Sequence, residues 1–178
     1  MKKTVYLFLL VCLSPFLSFG QLPIDSVTKK VTYTGVEQVT GASMAELYKR
    51  AKNCNSDGSG VVSDNATTGI YTYKGSFQVT YSAPQPGLKH SGRVAYAVTI
   101  AVKEGRYKYI ITDLAHTSDK GNGGGLERSI PECNKYVLTM AGWAEIKKQA
   151  DARMQLLVAN IKRGMNPTAP PVNVGNDW

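Results

Sequence analysis

The chain has 178 residues, and 21 lysines and arginines against 13 acidic residues give a formal net charge of +8. The positive residues are scattered, without a run of five or six, so the balance reads as solvated faces and excludes a nucleic-acid-binding tract. The length fits one ordinary domain, and two histidines without a His-x-x-x-His spacing give no metal site.

Residues 1–20 read as a cleavable signal peptide. Lys2 and Lys3 form a positive start, Thr4 to Phe19 is largely apolar, and Ser18-Phe19-Gly20 places small residues before a cut at Gln21. The apolar run is too short to span a bilayer, and Pro15 interrupts it. The protein is therefore expected to be exported, periplasmic or secreted, with no spanning segment after cleavage. Losing Lys2 and Lys3 lowers the formal charge to +6. The domain is expected over 21–165, with a proline-containing, disordered tail over 166–178.

Lys29 to Val39 is predicted as the first strand, with Val31 and Tyr33 on one face. Gly35 then shifts the alternation toward Val36, which predicts a bulge. Ser43-Met44-Ala45-Glu46 is a capping box opening a helix with Met44, Leu47, Tyr48 and Ala51 on one side. That helix ends near Cys54. Val61-Val62 is a short strand and Asp64 to Gly69 a turn.

Tyr71, Tyr73, Phe77, Val79 and Tyr81 then share one face of a long strand, with Gly75 as a gap. Ser82 to Gly92, with Pro84, Pro86 and Gly87, reads as a loop containing His90. Val94, Tyr96, Val98, Ile100 and Val102 line the next strand. Glu104-Gly105 turns the chain, and Tyr107, Tyr109 and Ile111 match it on a third strand ending at Asp113-Leu114. His116 to Arg128 reads as a loop made mobile by Gly121 to Gly125. The last helix is predicted from Thr139 to Arg163, with Trp143, Ile146, Ala150, Met154, Leu157 and Ile161 at steps of three or four. Gly164 and Pro167 are expected to stop it. Strand, helix, strand meander and long helix together describe an α+β two-layer domain.

Three groups of residues carry the resemblance to a family. They are Leu22-Pro23-Ile24-Asp25 with Val31-Thr32-Tyr33-Thr34 and Leu47-Tyr48; the hairpin Val98 to Thr112; and Ile130-Pro131-Glu132-Cys133 with Trp143 and Met165. Together they resemble the exported bacterial domain of unknown function 4468, which is described as having a TATA-binding-protein-like fold. The resemblance covers roughly Leu22 to Met165. It implies a curved antiparallel sheet of about five strands with two helices on one face. It implies no activity, and no catalytic residue is carried over.

No cofactor motif is present. Cys54 and Cys133 remain after signal removal, and a disulfide between them is left open in an oxidising compartment. A hydrolase or lyase using His116 with Asp113 or Glu132 is one functional reading, and a pocket for a small apolar ligand beneath the tyrosines is another. The leading reading is a non-enzymatic binding module. Alternation sends Thr72, Lys74, Gln78, Ala95, Ala97, Thr99, Lys108 and Thr112 to the face opposite the tyrosines. Ala95, Ala97 and Ala101 are poor strand formers, and they leave a shallow groove there. The occupant, an unknown protein, a small ligand or a second copy in a homodimer, stays open.

Overall fold

The computed structural model describes residues 22–55 and 60–167. The expected signal peptide, and residues 168–178 of the expected tail, lie outside them. The elements run β1 (Tyr33–Gln38), α1 (Met44–Asn53), β2 (Val61–Asn65), β3 (Ile70–Ser82), β4 (Lys89–Lys103), β5 (Arg106–Thr117), β6 (Gly124–Gly125) and α2 (Met140–Met165). The sheet order is β1-β5-β4-β3-β2, with β6 added beside β5, and every pairing is antiparallel.

Alternation decides which side is covered. Tyr71, Tyr73, Val79 and Tyr81 of β3, Val94, Val98, Ile100 and Val102 of β4, and Tyr107, Tyr109 and Ile111 of β5 are all buried. Against this inner face lie Leu47, Tyr48 and Ala51 of α1 and Trp143, Ile146, Ala150, Met154 and Ile161 of α2. Among the described residues no helix lies on the outer face, so their hydrophobic burial is concentrated on one side of the sheet.

Both helix starts follow their local chemistry. The Ser43 hydroxyl accepts from Glu46 N–H at 3.2 Å, while Glu46 itself turns to Arg50 rather than back to the cap. The Met44 N–H is taken by Glu104 of the β4–β5 turn at 3.0 Å, placing a carboxylate at the positive end of α1. Thr139 caps α2 by accepting from Gly142 N–H at 3.1 Å.

Several expectations are corrected. No bulge occurs at Gly35. β1 keeps regular register, Gly35 opposite Tyr109 and Val36 opposite Lys108. Gly35 faces inward by alternation with Tyr33, and the Tyr109 ring lies over it; a Cβ there would sit 2.6 Å from the Tyr109 hydroxyl. Gly75 lies under Tyr96 of the neighbouring strand in the same way. Lys89 to Gly92 is not loop but the start of β4, paired with Val79 to Ser82, and His90 stands opposite Tyr81. Asp64 and Asn65 belong to β2 rather than to the turn. Gly164 does not stop α2. It lies within the helix where the Cys54 sulfur approaches, 2.9 Å from where a Cβ would be.

The bulge lies instead in β5. Ala97 pairs with Thr112 but Ala95 pairs with Ala115, so β5 holds one extra residue, and Asp113 has φ +57. This resets the alternation and sends Leu114 and His116 into the core, both at most 1 % exposed.

The far half of β3 extends past β2 and would be a bare sheet edge. Helix α2 covers it. The Gln149 side-chain amide accepts from Thr80 N–H at 3.1 Å and donates to the Thr80 carbonyl at 2.7 Å, in place of a neighbouring strand. Glu145 accepts from the Ser82 N–H and hydroxyl, both at 2.8 Å.

Candidate functional site

The residues predicted for the groove all reach the outer face. Lys74, Gln78, Ala95 and Lys108 are exposed there, and Thr72, Ala97, Thr99 and Thr112 are half-buried. Register sets them side by side. Thr72 lies opposite Thr99, Lys74 opposite Ala97, and Ala97 opposite Thr112 on its other flank. The Thr72 and Thr99 hydroxyls are 3.1 Å apart. Thr112 donates to the Val31 carbonyl at 3.3 Å, tying the lead-in to β1 onto the bulge.

Sequence reasoning missed part of this face. Val36, Ile70, Lys103 and Arg106 also stand on it, next to Lys108 and Ala101. Simple alternation from Tyr33 would have placed Val36 there; the bulge assigned to Gly35 hid it. The face is strongly one-signed. Lys74, Arg93, Lys103, Arg106 and Lys108 form no ion pair among the described residues. Asp113 is held by Lys30 at 2.5 Å.

The residues of the hydrolase reading are not brought together. His116 is fully buried in β5, not at a loop mouth. Its Nδ1 accepts from Gly123 N–H at 3.2 Å, and the ring sits edge-on between Tyr81 and Trp143 at centroid distances of 5.3 and 6.2 Å. Burial lowers its pKa below the ordinary histidine value, so the ring is neutral with its proton on Nε2. Asp113 points to Lys30, and Glu132 pairs with Arg128 at 3.4 Å. Nothing opens His116 to a substrate.

The glycine loop is stitched rather than free. Gly124 and Gly125 pair with His116 and Ala115, Glu132 N–H donates to the Gly123 carbonyl, and Cys133 N–H donates to that of Asn122. Gly123 meets Trp143 so closely that a Cβ would lie 2.6 Å from the indole.

The Cys54–Cys133 bridge is not formed; both thiols are free. Cys54 packs at the C-terminal end of α2 and Cys133 beside Gly121 and Val137, ahead of its N-terminus. A helix of this length is about 39 Å long, whereas a disulfide needs its Cα atoms within about 7 Å. Burial pushes the Cys54 thiol up to about 11 and raises that of Cys133, opposite to an activated nucleophile.

The tyrosines are core. Tyr73, Tyr81 and Tyr107 are at most 2 % exposed. A cleft of about 360 Å³ lies between Tyr96 and Cys54, Arg153, Leu157 and Ile161. Among the described residues no group of three or more His, Cys, Asp or Glu is placed to hold a metal ion, and no helix is long and apolar enough to cross a membrane.

An open antiparallel sheet backed on one side by two helices defines an α+β, TBP-like protein class. Residues 33–117 match the family model described as domain of unknown function DUF4468 with TBP-like fold. The match bears out the resemblance over α1 and strands β1 to β5. The chain is similar to a crystallised DUF4468 family protein from Bacteroides ovatus, with 18% identity, TM-score 0.62, and coverage of 85% of this chain and 92% of that one. It is also similar to a TBP-like protein from Parabacteroides distasonis, with 16% identity, TM-score 0.58, and coverage of 84% and 99%. At these identities the likeness is one of fold. No curated protein matches the sequence.

Proposed function

We propose that this is an exported, non-enzymatic binding module that works through the outer face of its sheet. The observation that carries the reading is the asymmetry of coverage. Two helices bury the inner face, while the outer face keeps a floor of Ala95, Ala97, Thr99 and Ala101 and a set of cations that form no ion pair among the described residues. A face that met only water would gain from larger β-branched side chains and from carboxylates balancing its lysines. Fold alone assigns no partner; this surface supports the reading.

The test is to fill the groove without changing charge. Ala97→Trp should leave far-UV circular dichroism and the urea midpoint nearly unchanged. It should release whatever co-purifies with the native protein from the cell envelope, a preparation in which the chain should begin at Gln21. A folded Ala97→Trp protein that keeps every companion and the same mass in solution would end the proposal.

A further inference from the structure

The outer face is not uniform along its length. Toward the β4–β5 turn, register sets Val36 beside Lys108, Lys108 beside Ala101, and Ala101 beside Ile70. These residues bound a recess of about 350 Å³ whose remaining rim includes Lys103 and Arg106. Ala101 gives the recess its depth, because any larger side chain on that central strand would stand in it. Val36 and Ile70 are 59% and 38% exposed, so an aliphatic surface meets water beside three cations that lack carboxylate partners among the described residues.

An aliphatic floor and a one-signed rim call for a ligand with both properties. The volume lies at the lower end of small-molecule sites, which span about 300–1,000 Å³. A second copy docked face to face would set Lys103, Arg106 and Lys108 against their own counterparts, which like-charge repulsion opposes. A bilayer is a poor match too. The apolar side chains line a hollow, and among the described residues no Trp, Phe or Leu lines it to insert between lipids.

We propose that this recess binds a soluble amphipathic organic acid, its aliphatic body over Ala101 between Val36 and Ile70 and its carboxylate on the Lys103–Arg106–Lys108 rim. The assignment rests on the outer face being the binding face and adds the chemistry of the ligand.

Isothermal titration of the full chain with dodecanoate, below its micelle concentration, is the test. Binding should be one to one. It should weaken at least tenfold for Ala101→Trp, which fills the hollow, and at least tenfold for Lys103→Glu combined with Arg106→Glu. Dodecyltrimethylammonium, with the same body and the opposite charge, should bind at least tenfold more weakly than dodecanoate. Ala101→Ser keeps the hollow and should keep the affinity, and if Ala101→Trp does not fold the charge variant decides. Equal affinity for the two head groups, many ligands per chain, or undiminished binding to folded Ala101→Trp overturns the assignment. So does binding to phosphatidylglycerol vesicles without binding to monomeric dodecanoate, or a dimer that Ala101→Trp dissociates. If Ala97→Trp loses the native companion while dodecanoate fails to bind, the face stands and only the ligand class falls. If dodecanoate binds as described and Ala97→Trp changes nothing, the recess stands and the central groove does not.

Discussion

On the inner face Tyr73, Ile100 and Tyr107 are at most 2% exposed, while Lys74 and Lys108, one position further along the same strands, are exposed. Backbone, strand pairing and solvent history are shared; only the direction of Cβ differs. Stability therefore resides on one side of the sheet, and freedom to vary, or to bind, on the other. Parity along a strand should predict the effect of a substitution better than residue type does.

The largest effect should come from the element that seals the inner face. Trp143 is 1% exposed, and its indole N–H donates to the Arg128 carbonyl at 3.1 Å, where Lys147 also donates at 2.6 Å. Trp143→Ala should cost about 3–5 kcal/mol in urea unfolding, and Lys74→Ala on the outer face no more than about 0.5 kcal/mol. Comparable losses would erase the contrast.

A smaller effect tests the inner glycines. Strand propensity alone would favour Gly75→Ala, but the new methyl meets the Tyr96 ring. The change should cost about 1–3 kcal/mol, and most of that should vanish in a Tyr96→Ala background. A double-mutant cycle measures the coupling; a cost that persists without the ring means that the aromatic cover is not the reason for glycine.

The mildest effect is a dependence on pH. Folding buries His116 neutral and lowers its pKa from 6.5. The unfolded chain therefore binds the proton more readily. The stabilisation is complete above about pH 6.5 and declines as pH falls through that value. Protonation would also set an Nδ1–H against the Gly123 N–H that Nδ1 now accepts. Urea midpoints should fall between about pH 7 and pH 5.5 in the native chain. His116→Asn, less stable throughout, should lose that slope. An unchanged slope would place the titrating group elsewhere.

Much of this architecture was legible in the sequence because it rests on period. The stripe from Trp143 to Ile161 and the alternation from Tyr71 to Ile111 fix which side of each element is apolar. Long-range contacts hid the rest. Gly35 looks like a bulge until Tyr109, on another strand, is seen to lie over it. The Asp113 bulge carries no glycine, and its turn is held by Lys30 from the other end of the chain. His90 follows a Pro-Gly run, yet pairing with Tyr81 makes it strand. The outer-face placement of residues such as Thr72, Lys74 and Ala97 was legible because it depends on parity alone. The cationic recess was not, since Val36 meets Lys108 and Ala101 only through strands that fold back from far along the chain.

The cover that Gln149 and Glu145 place over Thr80 and Ser82 also bears on the order of folding. Helix α2 is the final element in the described chain. As the protein emerges in sequence order, the meander can pair before the residues that guard its edge have appeared. During that interval the backbone of β3 past Lys74 is a template for any other nascent chain. Loss of α2 docking should therefore show itself first as self-association of a still-paired sheet, before the strands themselves come apart.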